Sequence, residues 1–289
     1  MTEALVELVD LLDLEPIEVN IFRSNKLDET RQRVFGGQVA AQSLVAAGRT
    51  VEAGRVHSLH SYFLRPGDPS APILYEVDRI RDGRSFTTRR VVAIQHGKAI
   101  FNMQCSFHVD EAPGLVHQMP MPEVPRAEDL PTVLEQLEPY RDKLPEWFTD
   151  ERPRPIDQRF IGELPWFRTS AGEPSKQLWV RADGELPDDP LLHAAVVTYA
   201  SDMSLFDSIL LPHRIRWEDQ SFMGASLDHC MWFHRQPKAD QWLLFDQDSP
   251  SAYGARGLAR GLMFDEEGTL IVSLVQEGLV RVLAKPPSG

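Results

Sequence analysis

The hydrophobic pattern predicts one long buried helix in each half of the chain. Residues 35–51 open with two glycines and continue with small and apolar side chains, and residues 190–206 are apolar at almost every position. A helix that is apolar all round is covered on every side rather than on one face. An amphipathic helix is predicted over residues 3–13, where leucine and valine recur at helical spacing.

Alternation of apolar and polar positions predicts antiparallel strands after each buried helix. The dipeptides Asp82-Gly83 and His96-Gly97 have the composition of hairpin turns. The predicted strands are 17–22, 56–68, 73–83, 84–97, 98–109, 176–182, 222–234, 241–248, 253–265 and 269–283.

The two halves repeat the same order of features. The aromatic strand HSYFLRP (60–66) matches HCMWFHRQP (229–237), and the hairpin RRVVAIQHGKAIFNM (89–103) matches RGLARGLMFDEEGTLIVSL (256–274). Each half is therefore one buried helix followed by four antiparallel strands. This order predicts a duplicated α+β unit in which each helix packs across a sheet.

A proline-rich, acidic stretch divides the halves. Residues 111–155 are too long for a simple turn, and we interpret them as a linker that contains one short helix within TVLEQLEPYRDKL. The predicted units are an N-terminal repeat over 1–110 and a C-terminal repeat over 156–289.

Composition and charge narrow the classes of function. The 289 residues are 42% hydrophobic and carry a formal net charge of −13, which argues against nucleic-acid binding because that needs a basic face. No apolar run reaches transmembrane length, and the acidic N-terminus is unlike a signal peptide. The two cysteines suit a reducing compartment, and no Cys or His spacing indicates a metal site. We expect a cytoplasmic protein without a membrane partner.

The candidate chemistry begins with Asp202, a carboxylate inside the apolar run HAAVVTYASDMSLF. A buried carboxylate needs a partner, so Asp202 is either a general base in a dry pocket or a helix-ending residue that faces solvent. The equivalent helix of the first half contains no carboxylate, so any site built on Asp202 is asymmetric. The chain lacks the G-x-S-x-G, H-E-x-x-H, P-loop and G-x-G-x-x-G signatures.

Two further polar residues are candidate site residues, and two groups of hydrogen-bond donors are candidates for binding an anion. Gln276 lies in the near-continuous apolar strand IVSLVQEGLV. It is either a site residue or an amide in the sheet whose hydrogen bonds are made by backbone groups. Ser226 is either a hydroxyl partner for a water or a strand-start residue. Unbroken alternation over 226–235 places Ser226 and Asp228 on one face and His229 on the other. This argues against an Asp228–His229 dyad, so we interpret His229 as a packed ring. The N–H groups of FGGQ and a subset of the arginines are candidates for binding an oxyanion or phosphates; these arginines are Arg31, Arg33, Arg65, Arg79, Arg81, Arg84, Arg89, Arg90, Arg256 and Arg260.

Motifs along nearly the whole chain resemble the acyl-CoA thioesterase II family. They are RQRVFGGQVAAQSL, HSLHSYFLRPGD, RDGRSFTTRRVVAIQ, LWVRADGELPDD, YASDM, LDHCMWFHR, SAYGARG and VQEGLVR. The resemblance implies a double hotdog fold, in which each repeat wraps an antiparallel sheet around a long central helix. It also implies hydrolysis of acyl-CoA to fatty acid and CoA without a cofactor, and a homodimer.

The resemblance implies catalytic roles for Asp202, Ser226 and Gln276. In that family an Asp, a Thr or Ser hydroxyl and a Gln hold and activate the attacking water, and these map to YASDM, the hydroxyl before the DH pair and VQEG. Some relatives have Thr where this chain has Ser226, which keeps the hydroxyl. A hydratase is disfavoured because SDMSLFDS contains no histidine. A non-catalytic acyl-CoA binder is the other alternative, and it would not need all three residues.

Overall fold

Two central helices and one large antiparallel sheet organise the molecule. The computed structural model describes residues 1–25, 33–143, 154–167, 170–215 and 222–283. The helices and strands of the first half are α1 Glu3–Leu12, β1 Leu14–Glu18, β2 Ile21–Ser24, α2 Gly36–Gly48, β3 Arg55–Phe63, β4 Leu74–Asp82, β5 Phe86–Gln95 and β6 Lys98–His108.

The second half has the same plan of a long helix and a set of strands. A short helix, α3 Val133–Leu137, comes before it, as the pattern within 132–144 predicts. The remaining elements are β7 Ile156–Phe160, β8 Ser175–Ala182, α4 Pro190–Ser201, α5 Asp207–Leu210, β9 Phe222–Ser226, β10 Asp228–Phe233, β11 Leu243–Tyr253, β12 Arg256–Phe264 and β13 Leu270–Val282.

The sheet runs through both halves without interruption. Its strand order is β1-β2-β4-β5-β6-β3-β10-β13-β12-β11-β8-β7, with β9 paired to β13, and every pairing is antiparallel. The halves join where β3 meets β10, with Tyr62 opposite Asp228 and Ser58 opposite Trp232. This is the duplicated α+β arrangement that the pattern predicts and the double hotdog fold that the resemblance implies.

Small residues let the two central helices pack closely against each other. Eleven consecutive residues of α2, from Gly37 to Ala47, are buried, and so is α4 from His193 to Ser201. A β-carbon on Gly37 would come within 2.6 Å of the Tyr199 carbonyl oxygen. Glycine at this position is therefore what allows the start of α2 to approach the end of α4.

The segment between the halves packs on the opposite face of the second-half sheet. Ala127 joins a separate apolar cluster with Trp179, Trp242 and Phe264, residues that point away from the central helices. The indole N–H of Trp179 donates to the carbonyl oxygen of Pro125 at 2.9 Å. The segment thus covers sheet surface that would otherwise be exposed, and the division at 110 and 156 stays a prediction.

Two strand predictions are wrong in a way that changes the geometry. The strand predicted over 17–22 is a hairpin of β1 and β2, because Asn20 adopts a left-handed conformation with φ 66°. The strand predicted over 222–234 is broken at Leu227 into β9 and β10. Strand β7 was not predicted.

The break at Leu227 shifts the register by one residue. Ser226 pairs with Gly278, whereas Cys230 pairs with Val275. A one-residue shift reverses which face each side chain occupies. Ser226 and the residues of β10 beyond the break are therefore out of simple alternation, and the prediction that Ser226 and His229 face opposite ways is wrong.

Candidate active site

A pocket of about 530 Å³ lies where the two halves meet. Most of its wall is apolar and comes from both repeats, including Phe35, Val39, Phe63, Ile100, Met203 and Phe206. Asp202 and Ser226 lie on the same wall, and Arg33 and Arg65 also line the pocket. A mostly apolar cavity with a few converging polar groups is the usual form of a small-molecule site.

Asp202 is the C-terminal cap of α4. The helix begins at Pro190, with the Asp189 side chain accepting a hydrogen bond from the Leu191 N–H, and it ends at Ser201. The backbone of Asp202 therefore ends the helix, as one of the two alternatives predicts. The side chain is half-buried rather than exposed, however, because it lies on the pocket wall beside the first turn of α2.

Hydrogen bonds bring the three predicted site residues together. The Gln276 amide Nε2 donates to Asp202 Oδ1 at 2.9 Å and to Ser226 Oγ at 2.5 Å. The Ser226 hydroxyl lies 3.5 Å from the same Asp202 oxygen. Gln276 itself is buried and is not part of the pocket wall. The amide therefore holds the carboxylate and the hydroxyl from behind.

The first turn of α2 completes the environment of the carboxylate. The backbone N–H of Gly37 donates to Asp202. A β-carbon on Gly36 would lie 2.7 Å from Asp202 Oδ2, so only glycine leaves room for that oxygen. The positive end of the helix also favours a carboxylate here.

Burial raises the pKa of Asp202 to about 6, even though the hydrogen bonds from Gln276, Gly37 and Ser226 act to lower it. Desolvation disfavours the charged form more than these three donors favour it. The result is a carboxylate that is ionised near neutral pH and still basic enough to accept a proton.

The cysteines and the metal-ligating side chains give no competing site in the described part of the chain. Burial raises the pKa of the Cys105 thiol to about 12 and also raises that of Cys230, so neither is an activated nucleophile. No cluster of three His, Cys, Asp or Glu side chains there has the geometry of a metal site. No helix in the described ranges is long and apolar enough to cross a bilayer.

The candidate arginines separate into different environments. Arg33 and Arg65 are exposed on the pocket wall, and Arg31 lies outside the described residues. Arg89 is buried and donates to Thr50 and to Asp82, which is a structural role. Three others form ion pairs on the sheet surface, namely Arg90 with Asp78, Arg256 with Glu277 and Arg260 with Asp248.

Family models match both halves of the chain. The model described as acyl-CoA thioesterase matches residues 143–279, and the model for the acyl-CoA thioesterase N-terminal domain matches residues 26–108. Acyl-coenzyme A thioesterase 8 of Mus musculus is 41% identical, over 96% of this chain and 89% of its own. This chain belongs to the acyl-CoA thioesterase family. It is an acyl-CoA thioester hydrolase.

Bacterial relatives agree with this assignment. Acyl-CoA thioesterase 2 of Haemophilus influenzae is 38% identical, with coverage of 97% of this chain and 99% of the relative. The crystal structure of the acyl-CoA thioesterase II TesB2 from Mycobacterium marinum is 43% identical and superposes with a TM-score of 0.78, over 96% of this chain and 99% of that one. A hotdog-fold protein from Alicyclobacillus acidocaldarius, 18% identical over 96% and 99% of the two chains, has a TM-score of 0.78 and supports the fold.

Sequence reasoning missed three features of this thioesterase site. One is the role of Gly36 and Gly37. Gly36 leaves space for the Asp202 carboxylate and Gly37 donates its N–H to it, whereas the sequence indicated only a site for a substrate oxygen or phosphate. A second is the buried ion pair of Lys176 with Asp207 at 2.5 Å, since Asp207 borders the pocket. A carboxylate within the apolar run SLFDSIL was the available signal for that pair. The third is the hydrogen bond between His229 and Ser201, because the interpretation of His229 as a packed ring agrees with its burial but gave it no polar partner.

The Gly36→Ala variant tests the fit of α2 against the carboxylate. We expect kcat/KM to fall at least about tenfold, because the new methyl group would displace Asp202 Oδ2 from its position. Gly114→Ala is the matched control, since a β-carbon there meets nothing within 4 Å. Steady-state rates and melting curves of both variants give the answer. Wild-type activity in a folded Gly36→Ala protein would contradict the geometry.

Proposed function

We propose that this thioesterase hydrolyses acyl-CoA by direct attack of a water molecule that Asp202 activates. The observation that carries the proposal is the shared hydrogen bonding of Asp202 and Ser226 to the buried Gln276 amide, with both acceptors on the pocket wall. The sequence resemblance assigns the same three residues. The geometry supports a more specific role for each of the three residues.

Gln276 acts as a holder rather than as a direct partner of the water. A side-chain amide has two N–H donors, and those of Gln276 are directed to Asp202 and to Ser226. Asp202 and Ser226 then position the water between them. Asp202 Oδ2, which faces Gly36 at the pocket wall, accepts the proton as the water oxygen attacks the thioester carbonyl carbon.

Collapse of the tetrahedral intermediate breaks the carbon–sulfur bond. The products are the free carboxylic acid and CoA, and the proton held by Asp202 passes to the leaving thiolate. The Gly37 N–H is already a donor to Asp202. The other N–H groups at the start of α2 are therefore the candidates for polarising the carbonyl, assisted by the positive end of that helix.

The geometry favours this route over an acyl-enzyme on Ser226. Ser226 Oγ accepts from Gln276 and lies 3.5 Å from Asp202, a long contact for proton transfer. The buried His229 ring bonds to Ser201 through Nε2, so that nitrogen is engaged elsewhere. Serine nucleophiles require an adjacent base within hydrogen-bond reach.

The Asp202→Asn variant tests the proposal directly. We expect hydrolysis of an acyl-CoA series, followed with a thiol reagent, to fall at least about 100-fold because the amide cannot accept the proton. Asparagine keeps an acceptor for the hydrogen bonds and removes a desolvated charge, so the variant should melt no earlier than wild type at pH 8. Unchanged hydrolysis would show that the base lies elsewhere.

Ser226→Ala is the companion variant that separates the two routes. Loss of one positioning hydrogen bond should lower kcat by about tenfold or less. If the reaction instead passed through an acyl-enzyme on Ser226, the Ser226→Ala variant would turn over substrate no faster than Asp202→Asn. Retained binding of acyl-CoA by both variants excludes a simple loss of the pocket.

The pH dependence of kcat/KM reports the same carboxylate. Because the pKa of Asp202 is raised to about 6 and the base works ionised, kcat/KM should be level above pH 7. It should fall about tenfold per pH unit as the pH drops below 6. A profile measured in constant ionic strength buffer that stays flat down to pH 5 would contradict the assignment.

Arg33 and Arg65 are proposed to bind the phosphates of CoA at the pocket wall. Guanidinium groups match phosphates geometrically, and both side chains are exposed there. Arg65→Gln or Arg33→Gln should raise KM about three- to tenfold, more at low salt, with little change in kcat. Arg90→Gln, whose arginine pairs with Asp78 on the sheet, is the control. Equal KM values for the two pocket variants and the Arg90→Gln control would exclude the assignment of Arg33 and Arg65 as phosphate-binding residues.

We also propose a cytoplasmic location and a homodimer. The acidic composition and the two free cysteines support the location. The dimer follows from the family resemblance alone. Light scattering of the purified chain should give twice its 32.8 kDa mass, and a monomeric mass would exclude the dimer.

A further inference from the structure

His229 lies directly across the sheet from Gln276. Strands β10 and β13 pair with Cys230 opposite Val275 and Met231 opposite Leu274, and the same register places His229 opposite Gln276. Directly opposed residues carry their side chains on the same face of the sheet. The imidazole is therefore a neighbour of the amide that holds Asp202 and Ser226.

The ring also contacts the helix that ends at Asp202. His229 is fully buried, and its Nε2 lies 2.8 Å from the hydroxyl of Ser201, the residue immediately before Asp202. Neither His229 nor Ser201 lines the pocket. The imidazole thus lies between the end of α4 and strand β13, behind the residues that face the substrate.

Two buried atoms around this ring have no hydrogen-bond partner among the described residues. They are His229 Nδ1 and Gln276 Oε1. Buried polar atoms are nearly always paired, and the amide nitrogen of Gln276 is already engaged by Asp202 and Ser226. An Nδ1–H group that donates to Oε1 satisfies both atoms at once. Nε2 then accepts from the Ser201 hydroxyl, whose single proton is in that case not donated to the Thr198 carbonyl oxygen, the other acceptor 2.8 Å from Ser201 Oγ.

The charge state of the ring agrees with this arrangement. Burial lowers the pKa of His229 to about 4, and the contact with Gln276 acts to raise it, as expected for an imidazole N–H beside an amide oxygen. The ring is therefore neutral near pH 7 and carries a single N–H. Which nitrogen holds that proton decides whether Gln276 Oε1 has a donor.

We propose that His229, as the neutral Nδ1–H tautomer, is a positioning residue that binds Gln276 Oε1 and so fixes the direction of the amide. With Oε1 held, Nε2 must point toward Asp202 and Ser226. An amide turned the other way would present its oxygen to the Asp202 carboxylate, and two acceptors repel each other. The proposal rests on the role that the proposed function gives to Gln276.

Two substitutions at position 229 distinguish the two nitrogens. The amide nitrogen of Asn lies near the position of Nδ1, and that of Gln lies near the position of Nε2. We expect His229→Gln to lower kcat about 10- to 100-fold with KM changed less than about twofold, and His229→Asn to recover most of that loss. Melting curves control for folding. Equal kcat in the two variants, or a greater loss in His229→Asn, would overturn the proposal.

The tautomer of the wild-type protein provides a test that depends on neither variant's folding nor on hydrolysis. Protein labelled with ¹⁵N in its histidines gives two-bond ¹H–¹⁵N correlations that distinguish Nδ1–H from Nε2–H rings. The signal that is absent from His229→Asn belongs to His229. We expect that signal to report Nδ1–H, and an Nε2–H ring would overturn the proposal. Failure of the proposed function would instead appear as full hydrolysis by Asp202→Asn, with this spectrum unaffected.

Discussion

The site depends on one side-chain amide that two acceptors share. Gln276 is buried in strand β13 and donates to Asp202 at the end of helix α4 and to Ser226 at the end of strand β9. These three elements come from separate parts of the second repeat. An amide with both N–H groups engaged cannot rotate without breaking two hydrogen bonds in a poorly hydrated environment, where such bonds are costly to lose. The carboxylate is thereby kept on the pocket wall although burial raises its pKa.

The duplicated fold lets the two repeats contribute different parts of the site. The second repeat supplies Asp202, and the first supplies the glycines at the start of α2 that make room for it. The first-half helix has no carboxylate, and its small residues allow α4 to lie close beside it. The pocket forms at this junction, with apolar wall from both repeats. Because each repeat supplies a different part of the site, one repeat alone would form an incomplete site.

Periodicity predicted the helices, most strands and the duplication, because burial on a helix or a sheet face leaves a regular pattern in the sequence. The motifs predicted Asp202, Ser226 and Gln276 as a group, and the structure brings them within hydrogen-bond distance. Position in space was harder to predict. Alternation assumes an unbroken strand, so the break at Leu227 was invisible and Ser226 was placed on the face opposite His229. The contact of Gly36 with Asp202 joins residues 166 positions apart, and no local pattern records it.

A crystal structure of the Asp202→Asn variant with a bound acyl-CoA tests the central claim most directly, because the slowed variant should keep its substrate intact. The account predicts the thioester carbonyl in the pocket beside Gly36. It also predicts a water hydrogen-bonded to the side chain at position 202 and to Ser226 Oγ, about 3 to 3.5 Å from the carbonyl carbon. A thioester bound away from this wall, or Ser226 Oγ itself in line with the carbonyl carbon and no water between them, would contradict it.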